Sequence, residues 1–368
     1  MIFLRKSNSC FLCKKISRSP NKFMKYWRLM ISISIFMLCH SLVQAKPRGV
    51  KITRTEYHGW KNAIVISNGQ VEAIIVPSIG RVMQFRLVGE EGVFWENSEV
   101  AGKAVNPKSN DWTNFGGDKP WPSPQSEWPK ITPRSWPPPI GFDSSPWEAK
   151  EFISNITRMF SPESKGAVGA TTIQLTSPVD PHFGIRVTRD IYVDVTGAAV
   201  MKIKTTFEKV SGTPVKVGVW VITQVNEAEA VFVPVPKNSP YKEGYNLQSK
   251  ELPENFNVKD GLIELKRDPK KASKIGNDAG TLLWMNAKYV LRVDSPRILN
   301  ADYPDNGSSA EVYTNPDPAK YIELEMQGPL QEMKVGERIE RVNTYTLLRR
   351  RNQDAAKEAR KILLSASN

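Results

Sequence analysis

The chain has 368 residues, with 51 Lys and Arg against 38 Asp and Glu, a net charge of +13. Its only cysteines, Cys10, Cys13 and Cys39, and eight of its basic residues fall within the first 45 positions, which hold no acid. Setting that segment aside lowers the charge to +5, removes the basis for a nucleic-acid partner, and excludes disulfides or a cysteine metal site from the remaining 323 residues.

Residues 1–45 read as a secretory signal peptide. A basic region precedes the apolar run "LMISISIFMLCHSL", and "VQA" then places small residues at a cleavage position before Lys46. About 14 apolar residues are too few for a bilayer span of about 20. Starting at Met24 gives a leader of ordinary length, so translation from Met24 is an open alternative. The expected product is periplasmic or secreted, with no integral membrane segment after cleavage. Only His58 and His182 then remain, which argues against a multi-histidine metal site, and nothing calls for a cofactor.

The body begins with "AIVISNGQVEAIIVP", two β-rich runs around Asn68-Gly69, a pair suited to a tight hairpin turn. "GRVMQFRLVGEEGVFWE" continues as strand and turn. Further on, "IRVTRDIYVDV" and "AVMKIKTTFEKV" alternate apolar and polar residues, and "VKVGVWVITQV" follows after a turn. More strands are expected at "TLLWMNAKYVLRVD", "AEVYTN", "KYIELEMQ" and "RIERVNTYTLLR". The fold class is all-β, a large antiparallel β-supersandwich. One domain is expected over 46–352. A C-terminal helix and tail, 353–368, follows from the helical spacing of Ala355, Ala356, Ala359, Ile362 and Leu363.

Ser98 to Lys150 departs from this pattern, with ten prolines and five tryptophans. It contains "NFGGDKPWPSPQSEWP", where no regular period fits. A long loop rich in rigid aromatic residues is expected to be ordered and wrapped over the sandwich. Trp121, Trp128 and Trp136 would give a sugar a face to stack on, with Asn114, Asp118, Lys119 and Gln125 bonding its hydroxyls. The same tryptophans would equally serve to pin the loop onto a sheet. In "KYIELEMQ", strand alternation places Glu323 and Glu325 on one face, either as an acid–base pair or as a solvated surface.

"VPSIGRVMQFRL" and "VYTNPDPAKYIELEMQGP" resemble the opening and late segments of aldose 1-epimerases, the galactose mutarotase-like superfamily. The Trp/Pro block resembles the hallmark of an uncharacterised bacterial domain family within it. The resemblance implies a sugar-contacting Arg81, a catalytic base at Glu325 and a carbohydrate ligand. It also implies an aldose 1-epimerase-like isomerase, with one departure. Where the family carries a histidine acid, this chain reads "VGVWVITQVNEAE", with Gln224 at about that place. An amide does not supply and recover a proton at neutral pH, so the acid is missing, unless burial moves Asp118 or Lys119 towards neutrality. Three functions therefore stand open: a carbohydrate-active enzyme, a sugar-binding protein without the chemistry, and a cell-envelope scaffold that binds protein through the Trp-rich loop. Oligomeric state is not legible.

Overall fold

The computed structural model describes residues 49–105, 111–155 and 169–364. The segment 1–45 read as a signal peptide lies outside them, as do Pro107 and the last four residues.

In chain order the strands are β1 (Lys51–Tyr57), β2 (Trp60–Ser67), β3 (Val71–Val76), β4 (Arg81–Leu87), β5 (Asp118–Ser123), β6 (Glu148–Asn155), β7 (Gly169–Thr176), β8 (Ile185–Val193), β9 (Val200–Lys209) and β10 (Val215–Asn226). They continue as β11 (Ala230–Pro234), β12 (Asn246–Leu247), β13 (Phe256–Lys259), β14 (Leu262–Leu265), β15 (Ser273–Asn277), β16 (Thr281–Met285), β17 (Tyr289–Asp294), β18 (Ala310–Thr314), β19 (Tyr321–Gln327), β20 (Gln331–Met333) and β21 (Arg338–Arg349). An eleven-stranded sheet runs β1-β2-β3-β4-β5-β10-β19-β18-β15-β12, with β20 also pairing with β10. A ten-stranded sheet runs β13-β14-β11-β16-β17-β21-β9-β8-β7-β6.

Alternation decides what each face meets. On β8, Ile185, Val187, Ile191 and Val193 are buried; on β19, Ile322, Leu324 and Met326 are. These residues share one apolar cluster drawn from both sheets. The terminal helix (Ala355–Leu364) sets Ala359 and Ile362 against Phe232, Leu283 and Met285, a smaller cluster on the other side of the ten-stranded sheet.

The expectation that 114–129 lacks regular structure is corrected here. Asp118–Ser123 forms β5, inserted between β4 and β10 in the larger sheet. The prolines hid it, because a proline cannot donate to a ladder. β5 pairs with β10 from Asp118 to Ser123 but meets β4 only through Val82 and Asp118. Pro120 and Pro122 direct their missing N–H groups to the side where pairing has stopped, so no ladder bond is lost.

Candidate functional site

The cross-strand register gathers polar residues on the outer face of the eleven-stranded sheet. On β19, Glu323 lies opposite Gln224 of β10 and Tyr313 of β18. Glu325 lies opposite Ile222 and Glu311, and Gln327 opposite Trp220. On β5, Lys119 pairs with Ile222 and Trp121 with Trp220. On β15, Lys274 pairs with Tyr313. Residues from five strands thus converge on one patch.

Glu325 is 1% exposed. Its Oε2 accepts from the Trp220 indole at 2.8 Å and from Lys274 Nζ at 2.9 Å. Lys274 also reaches Glu311 Oε2 at 2.9 Å and lies 4.8 Å from the Trp220 ring centre. Burial works against the Lys274 charge, but Glu311 and Glu325 together outweigh it and hold the ammonium pKa up. Burial raises the Glu325 carboxyl well above the ordinary range; Lys274 opposes that rise, while Glu311 and Glu323 add to it. Glu311 shares the lysine's support, with Gln248 and Gln327 donating to it as well, and its pKa falls despite burial. Gly276, opposite Glu311, leaves room for this arrangement: a side chain there would run into Gln248 and Ser308.

A second group centres on Lys119, which is fully buried. Its Nζ lies 3.7 Å from Glu323 Oε1 and 5.2 Å from the Trp121 ring centre. Burial pushes this amine down to about 8, against the pull of Glu323. Gln224 Nε2 donates to Glu323 Oε1 at 2.9 Å. Lys119 Nζ, Gln224 Oε1 and Gln327 Oε1 are all buried without a hydrogen-bond partner.

The Trp/Pro segment closes over this face. Asp143, in a short helical turn (Ile140–Asp143), accepts at Oδ1 from Trp121 and Arg81, both at 2.8 Å. Its Oδ2 accepts from Trp112 at 3.1 Å and from Ser144. Arg81 also donates to the Gly116 carbonyl at 2.7 Å and to Ser144 at 2.9 Å. Gly116 has φ +89°, and a side chain there would strike the Trp95 carbonyl, which accounts for the Gly-Gly pair. Trp121 meets Trp112, Trp128, Trp136 and Trp220 edge to face, at centroid separations of 5.4–6.1 Å.

The predicted residues therefore divide. Glu323, Glu325, Lys119, Trp121 and Gln224 share the outer face. Arg81 is tied beneath the loop by Asp143. Asp118 does not join them: β5 turns it between the sheets, where it pairs with Arg189 of β8 and accepts from Thr223 at 2.7 Å and Tyr345 at 2.6 Å. The reason is strand parity, since neighbouring Lys119 takes the outer face. Gln125 is exposed in a short 3-10 turn (Gln125–Glu127). Asn114 spends its side-chain oxygen on the Gly116 amide at 3.2 Å. Trp128 is buried and donates to the Pro122 carbonyl at 2.8 Å, which makes it part of the loop's own core.

Sequence reasoning missed Lys274, Glu311, Trp220 and Asp143. Trp220 was within reach, having the same strand parity as Gln224. Arg189 also carried a signal, a charge at an apolar-facing position of "IRVTRDIYV".

The family model described as "Domain of unknown function (DUF4380)" matches residues 62–348. The chain belongs to this family. No curated protein matches it. Among solved structures, the Slr1438 protein from Synechocystis sp. PCC 6803 is 10% identical, with 80% of this chain and 99% of that one covered and a TM-score of 0.50. A TPR-domain containing protein from Parabacteroides distasonis ATCC 8503 is 13% identical, covering 84% of this chain and 54% of that one, at 0.50. A galactose mutarotase-like protein from Lactobacillus casei ATCC 334 is 9% identical, covering 78% and 100%, at 0.49. The fold of this family member is a supersandwich of two antiparallel sheets. At such identities the likeness concerns fold alone. Among the described residues, no helix is long and apolar enough to cross a membrane.

Proposed function

We propose that this protein is an exported carbohydrate-binding protein whose ligand lies on the outer face of the eleven-stranded sheet. One observation carries the reading. Buried polar atoms without hydrogen-bond partners, on Lys119, Gln224 and Gln327, alternate with the indoles of Trp121 and Trp220. Unpaired buried polar groups are costly, and a hydroxyl-bearing ring that stacks on aromatic surface is the kind of ligand that pairs them.

The same face holds the parts for acid–base chemistry at an anomeric centre. Glu325, in its ionised form beside Lys274, takes the proton of the anomeric hydroxyl as the ring carbon–oxygen bond breaks. Lys119, with its amine near 8, gives a proton to the ring oxygen. Reclosure on the other face of the carbonyl returns both protons. Lys119 thereby fills the role left open by Gln224. Export rests on the acid-free basic leader and "VQA", and N-terminal sequencing of envelope-fraction protein is expected to read from Lys46. An intact chain recovered from the cytoplasm removes that part of the proposal.

Calorimetric titration against a panel of mono- and oligosaccharides, paired with polarimetry on D-galactose and D-glucose, tests the whole. Binding that weakens in Glu325→Gln is expected. No binding to any member of the panel ends the carbohydrate reading and leaves a protein-binding scaffold as its replacement.

A further inference from the structure

A cavity of about 110 Å³ lies within the Trp/Pro segment, beside the turn that joins β7 to β8. None of Glu323, Glu325 or Lys119 lines it. Its walls include Trp112, Thr113, the run Pro137 to Pro139, Asp143, Ser144 and Asp180.

The two carboxylates differ in what they have left to offer. Asp143 is spent, since both its oxygens accept from indoles, a guanidinium or a hydroxyl. Asp180 is 1% exposed. Its Oδ1 caps the turn by accepting from the His182 and Phe183 amides at 3.0 and 2.8 Å. Its Oδ2 makes no hydrogen bond of ordinary geometry, although the Gly141 amide lies close enough to favour the ionised carboxylate. A buried carboxylate oxygen in that position accepts from a ligand donor or remains a cost to folding. A side chain on Gly141 would come within 2.9 Å of Oδ2, so glycine there keeps the atom clear.

We propose that this cavity is a second binding site, one that takes the hydroxyl-bearing edge of a single neutral sugar unit. Asp180 Oδ2 accepts from its hydroxyls and Trp112 lies against its ring. The volume is enough for one edge of a pyranose, with the remainder extending past exposed His182. Asp111 and Arg134 share the lining with opposite charges, which suits a neutral ligand. Rigid prolines hold the walls, so little ordering is required on binding. This site stands apart from the Glu325 face and does not depend on it.

Saturation-transfer NMR and titration with D-galactose, D-glucose and D-mannose test the assignment. Asp180→Asn retains Oδ1 for the cap and replaces Oδ2 with an amide donor, and it is expected to weaken binding about tenfold or more. Gly141→Ala, which crowds the same oxygen, is expected to do likewise and decides the matter if Asp180→Asn melts early. Binding unchanged in both variants overturns the site. Binding unchanged in both but abolished by Glu325→Gln assigns the sugar to the sheet face instead. No transfer to any of the three sugars in the wild-type protein overturns both sites.

Discussion

Lys274 on β15 reaches across β18 to Glu325 on β19, with 2.9 Å between its ammonium and Oε2. Three carboxylates, Glu311, Glu323 and Glu325, share this face with that one cation and Lys119, and Lys274 bridges two of them. Replacing it with methionine removes the charge and leaves Glu311 and Glu325 without their shared counter-charge. Lys274→Met is expected to destabilise the fold by about 3–5 kcal/mol, the cost of breaking a buried ion pair from one side. Urea denaturation at neutral pH measures this, and a loss below about 1 kcal/mol would show that water already screens the pair.

Asp118 and Arg189 form the corresponding pair between the sheets, both with fully buried side chains. Asp118→Asn leaves the guanidinium without a counter-charge in the core. A loss of about 3–5 kcal/mol is expected, read by thermal and denaturant unfolding. Sugar titration of whatever fraction stays folded is expected to match the wild type, because Asp118 faces away from the outer surface. A selective loss of binding with stability intact would contradict that placement.

Glu96 accepts from Tyr57 at 2.7 Å, and burial raises its carboxyl from 4.5 to about 7. Its folded pKa exceeds the unfolded one, so the folded state holds the extra proton between those values. That contribution is complete below 4.5 and is lost as pH rises through about 7. Wild-type stability is therefore expected to fall between about pH 5 and pH 8, and Glu96→Gln to be the more stable protein at pH 8, by on the order of 2 kcal/mol. Denaturant midpoints across that range provide the check, and parallel profiles for the two proteins would refute it.

If Lys119 is the proton donor, mutarotation declines as pH rises through about 8, where the amine loses its charge. Lys119→Met is expected to lower the rate about 10²–10⁴-fold and to abolish that alkaline limb. Lys119→Arg is expected to move the limb upward, since a guanidinium stays protonated. Polarimetric pH–rate profiles of the three proteins separate the cases. A wild-type limb retained in Lys119→Met would assign the proton to another group.

The sequence by itself determined the sheets. Alternation in "IRVTRDIYVDV" and "KYIELEMQ" gave strands with one apolar face, and Asn68-Gly69 gave the hairpin between β2 and β3, because both signals are local. Parity also placed Glu323 and Glu325 together. Partners from distant strands could not be read this way. Lys274 meets Glu325 only because β15, β18 and β19 lie side by side, and that neighbourhood is set by strand order, which no local period encodes. In "GGDKPWPS" the prolines masked β5, so the opposite facings of Asp118 and Lys119 waited for the tertiary structure. Neighbours in sequence, they differ by one step of the pleat: the aspartate became a strut between sheets and the lysine a buried amine on the outer face. The amine's pKa, like that of Glu325, is a property of burial, and burial exists only once the loop and sheet have come together.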